Sequence, residues 1–289
     1  MRATIRQTVS FTGFIVTVLA LGLPACMIED GQPEGIIAVS EHGLKSNNGL
    51  NLNNGLNLNN GLNLNNGLQL GNGTPLNHGL AAGLGLSLGD GLVSEAGLSS
   101  TTGFMTSQSG QRLVRYLVEC ALPFGHSITK DNPVDGGTIT FDGYVGLAPE
   151  WETGSCDQEC QEWVSACLMA RTNALGQKVA IEMVASHPAI GVTRTQPGTF
   201  IYEEAGFYGN LFLDPPVAYT CRGSQVVQGS HHGRACGLTP WESCGFKNVV
   251  NECAAPTSCS GRSSDAFLGC RDEAGTSFPT ITTFTTASN

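Results

Sequence analysis

The sequence predicts an α+β fold: a small disulfide-rich domain preceded by an array with a six-residue period. Three observations carry that prediction. Ten of the 11 cysteines fall between Cys120 and Cys270. The same stretch contains both helically spaced apolar residues and segments that alternate apolar with polar ones. Upstream of it, glycine returns every six residues at 43, 49, 55, 61, 67, 73, 79, 85, 91, 97 and 103, and every copy but Gly73 is followed by Leu or Phe. A fixed period of this kind marks a structural repeat rather than chance low complexity.

The repeat excludes an α-helix, because six steps of about 100° cannot keep leucine on one stripe. In an extended chain, six is even, so Leu50, Leu52, Leu56 and Leu58 share one face while Gly49, Asn51, Asn53 and Gly55 share the other. Asn-Gly supplies turns because both residues tolerate positive φ. Written as Leu50-Asn51-Leu52-Asn53-Asn54-Gly55, the unit resembles the hexapeptide of left-handed β-helices, with bulky leucine where that family places a small residue. Two readings remain open, a β-solenoid-like stack and a disordered Gly/Asn tether. By residues 94–110 the leucine pairing has decayed into Ser and Thr, so the globular part is expected to begin near Gln111.

Within the globular part, Leu113, Val114, Leu117, Val118 and Ala121 lie at helical spacing and Pro123 stops the run, which predicts a helix from Gln111 to Leu122. Alternation from Gly137 to Val145 predicts a strand or hairpin. A second helix is expected from Asp157 to Asn173, capped by Ser155 or Asp157, with Cys160, Val164 and Cys167 on its buried stripe and Trp163 and Met169 nearby. Cysteines on one helix face seldom bridge each other, so Cys156, Cys160 and Cys167 are expected to reach three other segments. Residues 178–184 read as a strand, and short strands are expected at 199–202 and 207–212. The sparse apolar content of residues 221–270 requires disulfides for stability. The Thr/Ser-rich tail 272–289 reads as disordered.

At the N-terminus, Arg2 and Arg6 precede an apolar run from Phe11 to Leu23, the layout of a secretory signal peptide over residues 1–25. The run is shorter than the roughly 20 apolar residues that span a bilayer. Leu23-Pro24-Ala25-Cys26 resembles the lipobox of bacterial lipoproteins. That resemblance implies cleavage before Cys26, a lipid on its thiol, and, with Met27 rather than aspartate next, an outer-membrane address on the periplasmic face or the cell surface. Residues 26–42 are then an acylated N-terminus and linker, 43–108 a repeat tether, and 111–271 the domain it carries.

If Cys26 carries lipid, the remaining cysteines, Cys120, Cys156, Cys160, Cys167, Cys221, Cys236, Cys244, Cys253, Cys259 and Cys270, form an even set. An even set in an exported chain implies bridges whose pairing spacing alone does not choose. The net charge of -10 becomes -12 once Arg2 and Arg6 leave with the signal. Such a field argues against nucleic acid and anionic headgroups as partners and leaves membrane attachment to the lipid.

Catalytic signatures are few. Gly85-Leu86-Ser87-Leu88-Gly89 matches G-x-S-x-G but sits inside the repeat, without the strand-to-helix setting of a nucleophile elbow. Cys156 and Cys160 with His126 or His187 could ligate zinc, although disulfides are the commoner use in an oxidising compartment. Ser230-His231-His232 offers a hydroxyl beside imidazoles on a loop, and Glu203 with Glu204 offers paired carboxylates that a strand would point to opposite faces, one exposed and one capping a partner. No catalytic residue, metal or cofactor is therefore assigned.

The segments Tyr116–Pro123, Gly146–Trp151 and Cys160–Asn173 resemble a group of uncharacterised exported bacterial proteins, a likeness that implies no activity. Two functions follow from the residues. The favoured one is a non-catalytic binding or structural module displayed at the surface for an extracellular protein or glycan, with Phe200, Tyr202, Phe207 and Tyr208 as its candidate aromatic patch. The alternative is a secreted hydrolase acting on an extracellular polymer, which requires a cleft where His126, His187 or His231 meets a carboxylate.

Overall fold

The computed structural model describes residues 36–40, 43–48, 50–51, 68–70, 74–76, 79–81, 84–173, 179–224 and 247–286. Cys26, Cys236, Cys244, Ser230, His231, His232 and most of the repeat between 52 and 78 lie outside them. The body is mixed α and β. Its strands in chain order are β1 (Ile36–Ser40), β2 (Gly43–Asn48), β3 (Leu50–Asn51), β4 (Leu68–Leu70), β5 (Thr74–Leu76), β6 (Ser127–Asp131), β7 (Thr138–Asp142) and β8 (Thr172–Asn173). There follow β9 (Val179–Val184), β10 (Tyr202–Asn210), β11 (Val217–Arg222), β12 (Lys247–Glu252), β13 (Cys259–Ser263), β14 (Ala266–Arg271), β15 (Ser277–Phe278) and β16 (Thr280–Thr285). Among the described residues two helices, α1 (Gln108–Ala121) and α2 (Gln158–Ala170), complete the set with two short 3-10 turns.

A seven-stranded sheet in the order β1-β2-β9-β16-β10-β11-β12 forms the middle layer. Its centre is β16, antiparallel to β9 on one side and to β10 on the other. Alternation along the central strands sends Phe207 and Ile281 into the cluster that holds both helices, while Tyr208 joins Phe267 and Phe278 on the opposite face. The second layer is thus α1 and α2, and the third is the small β13-β14-β15 sheet. A strand covered on both faces has no solvent side, and all six residues of β16 are buried.

The tail was expected to be disordered and is instead the sheet's central strand. Its threonines are β-branched and suit a strand, and the hydroxyls of Thr280, Thr282 and Thr283 find partners inside. Thr282 Oγ1 accepts the Phe267 N–H at 2.8 Å, Thr280 Oγ1 accepts the Cys270 N–H at 3.2 Å, and Thr283 Oγ1 donates to Glu204 Oε2 at 2.8 Å.

Both predicted helices form, with earlier or tighter limits. α1 begins at Gln108 because Ser107 accepts the Gly110 N–H at 3.1 Å as its N-cap. In α2, Asp157 is the cap, accepting the Cys160 N–H at 3.0 Å, and the helix stops at Ala170. The expected 137–145 strand is the second arm of the β6–β7 hairpin. One continuous nine-residue strand, β10, replaces the short strands expected around 199–212.

The domain boundary near Gln111 is also corrected. The residues after five successive repeat glycines, Leu80, Leu86, Leu92, Leu98 and Phe104, are all buried in the main core with α1 and α2. Each glycine is where the backbone must pass another strand of chain. A Cβ would lie 2.3 Å from Leu213 O at Gly79, 2.4 Å from Thr153 Cα at Gly91, 1.9 Å from Gly91 O at Gly97 and 1.7 Å from Leu84 O at Gly103. The period therefore encodes a clip, with glycine for close approach and leucine for burial. These units do not stack as a solenoid. Three-sided coils would pair residues 18 apart in parallel, whereas Leu86 bridges Leu98 in antiparallel fashion, Leu80 N–H bonds Leu211 O, and Leu92 N–H bonds Trp151 O.

Four disulfides join described cysteines: Cys120–Cys167, Cys156–Cys160, Cys221–Cys253 and Cys259–Cys270. Cys120–Cys167 ties α1 to α2, as an inter-segment bridge should. Cys156 and Cys160 instead bridge each other, contrary to the expectation that each would reach a distant segment. Cys156 precedes the Asp157 cap and so is not on the helix face, which leaves its Cα 5.2 Å from that of Cys160, within the span a disulfide needs.

Two tests follow. Gly103→Ala should destabilise the protein by more than about 3 kcal/mol, because backbone would have to move out of a site that also demands positive φ. Gly125→Ala, at φ +89 with open space around it, should cost only about 1 to 2 kcal/mol; chemical denaturation would show equal losses if the clip were unimportant. Among the bridges, loop closure over 47 residues predicts about 4 kcal/mol lost in Cys120→Ala/Cys167→Ala, against about 2 kcal/mol in Cys156→Ala/Cys160→Ala. The reverse ranking in denaturant melts would contradict this assignment of the frame.

Candidate functional site

The expected aromatic patch does not exist as a surface. Phe200, Phe207 and Tyr208 are buried, and Tyr202 is half-buried. β10 lies next to the centre of a sheet covered on both faces, so its aromatics have become core. Tyr208 stacks with Tyr219 at 5.8 Å and donates to Arg271 O at 3.1 Å, and burial raises its phenol above the ordinary range.

Glu203 and Glu204 were expected to face apart, one exposed and one capping. Both are buried. The register slips between Glu203 and Ala205 against β16, so Glu204 occupies a bulge that frees it from strict alternation. Glu203 accepts from Ser224 N–H and Oγ at 3.0 Å each and pairs with Arg262, while Glu204 takes the Thr283 hydroxyl. A third buried carboxylate, Glu182 on β9, accepts Thr195 Oγ1 at 2.7 Å and Gln196 N–H at 3.2 Å. These groups serve the interior, because each is held by its own donors away from solvent.

The G-x-S-x-G match is a local turn: Ser87 Oγ donates to Asp90 Oδ2 at 2.9 Å and accepts Gly89 N–H at 3.2 Å. His126 does meet a carboxylate, with Nδ1 2.6 Å from Glu152 Oε2. That pair sits on the surface, and among the described residues no hydroxyl or thiol hydrogen-bonds to either the His126 or the His187 ring. Cys156 and Cys160 are consumed by their mutual bridge, which leaves neither thiolate to ligate zinc.

The side chains that do converge on a concavity come from all three layers. At the end of the sheet where β9 finishes and β16 starts, a cavity of about 250 Å³ is lined by Glu159, Trp163, Ser186, Phe267, Leu268, Gly269, Ser277, Phe278, Pro279 and Thr280. Glu159 and Trp163 are four residues apart on α2 and so share a face. Asp157 caps that helix and the Cys156–Cys160 bridge brackets its first turn, which fixes where Glu159 stands. Phe267 and Phe278 come from β14 and β15, registered against each other by the pairing of Cys270 with Phe278.

His187 stands behind Trp163, edge-on at 4.9 Å and 65°. Its Nδ1 accepts the Ala189 N–H at 3.1 Å, so the neutral ring carries its proton on Nε2. Burial lowers its basicity, opposed by the nearby Glu159 carboxylate. Among the described residues the buried indole N–H of Trp163 has no hydrogen-bond partner, as is also true of Trp151 in the core. Of these residues the sequence brings forward Trp163 and His187. It gives no signal for Glu159, Ser186, Phe267 or Phe278, which meet only through folding.

The His187 shift makes a signed prediction. A histidine whose folded basicity lies below the ordinary value of 6.5 favours the folded state above that pH. As pH falls through 6.5 the unfolded chain takes the proton first, so this contribution is lost progressively down to the folded value. Melting temperature should therefore drop less between pH 7.5 and 5 in His187→Phe, which keeps a ring against Trp163, than in the parent chain; identical drops would remove His187 from the balance.

No family model matches this chain, and no curated protein and no solved structure matches it, so the cavity and its lining are the whole basis for assigning a site.

Proposed function

We propose that this chain is an exported lipoprotein, held at the outer membrane by a lipid on Cys26, whose cysteine-bridged body is a non-catalytic binding module. The observation that carries the reading is the cavity at the end of the central sheet: three aromatic rings, one carboxylate and two serines, Ser186 and Ser277, brought together from separate layers. Pockets with an apolar lining and a few converging polar groups are the usual form of small-ligand sites. The bridges support an oxidising compartment, where such frames form and persist. Among the described residues no helix is long and apolar enough to cross a membrane. In this reading the lipid on Cys26 holds at the membrane a body whose sheet already includes β1 and β2, and the partner is an extracellular protein or glycan carrying a group that fills the cavity.

A secreted hydrolase remains the second reading, favoured by the single contact between His126 and Glu152. It predicts that His126→Ala abolishes cleavage of an extracellular polymer.

The lipoprotein proposal is tested by envelope fractionation and intact mass. Wild-type chain should sediment with membranes and begin at an acylated Cys26, whereas Cys26→Ala should be found in the soluble fraction with an unchanged melting temperature. A Cys26→Ala chain that stays in the membrane pellet removes the lipid anchor from the account.

A further inference from the structure

We infer that the bridges Cys221–Cys253 and Cys259–Cys270 form an exchange pair: once a dithiol reductant opens Cys259–Cys270, the freed Cys259 displaces Cys253 and joins Cys221. The inference concerns the covalent frame and holds whatever fills the cavity. Cys221 Sγ and Cys259 Sγ belong to different bridges and lie 3.8 Å apart. The sulfurs of Cys221, Cys253 and Cys259 all fall within 4.8 Å of one another. A thiolate generated at Cys259 therefore already touches the sulfur it attacks, and exchange depends on that access.

The surroundings hold these sulfurs together. All four cysteines share one buried cluster with Tyr208, Tyr219, Phe267 and Phe278. Gly206, opposite Cys221 in the β10–β11 register, leaves room beneath them: a Cβ there would stand 3.0 Å from Cys221 Sγ and 3.2 Å from Cys253 Sγ. The other described bridges, Cys120–Cys167 and Cys156–Cys160, belong to the helix-side cluster and take no part. Entry comes from the edge. Cys259 opens β13, the edge strand of the small sheet, and its next three residues are exposed, whereas Cys221 lies on β11 inside the seven-stranded sheet. Local opening of an edge strand costs less than opening a sheet interior, so Cys259–Cys270 is the bridge an external dithiol reaches first.

Two steps balance atoms and electrons. A thiolate of the reductant attacks Cys270 Sγ and Cys259 leaves as a thiolate; the second thiol of the reductant then displaces Cys270, so the reductant departs as its own disulfide and Cys270 as a thiol. The Cys259 thiolate next attacks Cys221 Sγ, the Cys221–Cys253 bond breaks, and its electron pair leaves on Cys253 Sγ, which takes up a proton. This second step trades one disulfide for another with no net redox change. The product ties β11 of the central sheet to β13 of the small sheet. It releases from its bridge β14, which carries the cavity-lining Phe267, Leu268 and Gly269.

The test is graded reduction of the full-length chain with dithiothreitol, acid quenching, and labelling of free thiols with N-ethylmaleimide in denaturant at slightly acid pH, where little thiolate is present to scramble the bridges. Tandem mass spectrometry then locates label and bridges. Partly reduced wild type should contain a Cys221–Cys259 link, with label on Cys253 and Cys270. In Cys270→Ala, where Cys259 has no partner from the start, label should divide between Cys253 and Cys259 within about tenfold of each other, because the trade leaves the number of bridges unchanged. Cys253→Ala, which frees Cys221 instead, should divide the label between Cys221 and Cys270, and it serves if the first variant fails to fold. Label confined to Cys259 and Cys270 in reduced wild type, or to the orphaned cysteine in either variant, overturns the exchange. Label appearing on Cys236 or Cys244 in the variants overturns it as well, by routing the thiol elsewhere.

Discussion

The body depends on the insertion of β16 between β9 and β10. Without that strand, β9 and β10 would each expose an unpaired edge in the middle of the molecule, and the two outer layers would have no common surface to cover. The insertion brings residues 280–285 beside residues 181–184 and 202–208, so the sheet closes only when the end of the described chain arrives. It also explains the polar interior. Phe284 stands in register with Glu182 on one side and Glu203 on the other, and Arg194 lies over its ring at 4.2 Å while pairing with Asp265. Carboxylates buried in this row persist because backbone amides, hydroxyls and guanidinium groups reach them.

That strand also marks where sequence reasoning stops. Thr-Ile-Thr-Thr-Phe-Thr is short of aliphatic residues, and by composition it reads as a polar tail. Threonine is nevertheless β-branched, and its hydroxyl can satisfy an interior donor or acceptor. Which of the two descriptions applies depends on Phe267, Cys270 and Glu204 being opposite, and nothing local to residues 280–285 announces them. The helices were more legible because their signals are local: the apolar stripe of α1, the Asp157 cap and the cysteines of α2. Tyr208 and Phe207 show the reverse failure, where aromatics that could form a surface patch belong to the core because the strand that carries them is covered on both faces.

The repeat was legible as a period and not as a structure. Its glycines read equally well as turn formers, coil corners or spacer residues, since all three uses exploit the missing Cβ. Only the neighbours decide. At Gly91 the neighbour is Thr153, at Gly103 it is Leu84, and at Gly79 it is Leu213. One motif thus meets different partners at different copies. Local sequence repeats here without spatial repetition, and the leucines are driven inside by the common gain of burying apolar surface.

The cavity inherits its geometry from this frame. Glu159 lies within the loop closed by Cys156–Cys160, and Phe267 to Gly269 precede Cys270, whose bridge to Cys259 joins directly opposed positions of β13 and β14. The two walls are therefore held by separate covalent links before any ligand arrives, and both pack onto the same central sheet. A small ligand offers little contact area, so it cannot supply much energy to order a loose site. A wall fixed in advance lowers that ordering cost. The cysteines thus do more than compensate for a thin core: each bridge fixes its own wall, Cys156–Cys160 on the helix layer and Cys259–Cys270 on the small sheet, while the central sheet on which both walls pack sets the spacing between Trp163 and the Phe267–Phe278 pair.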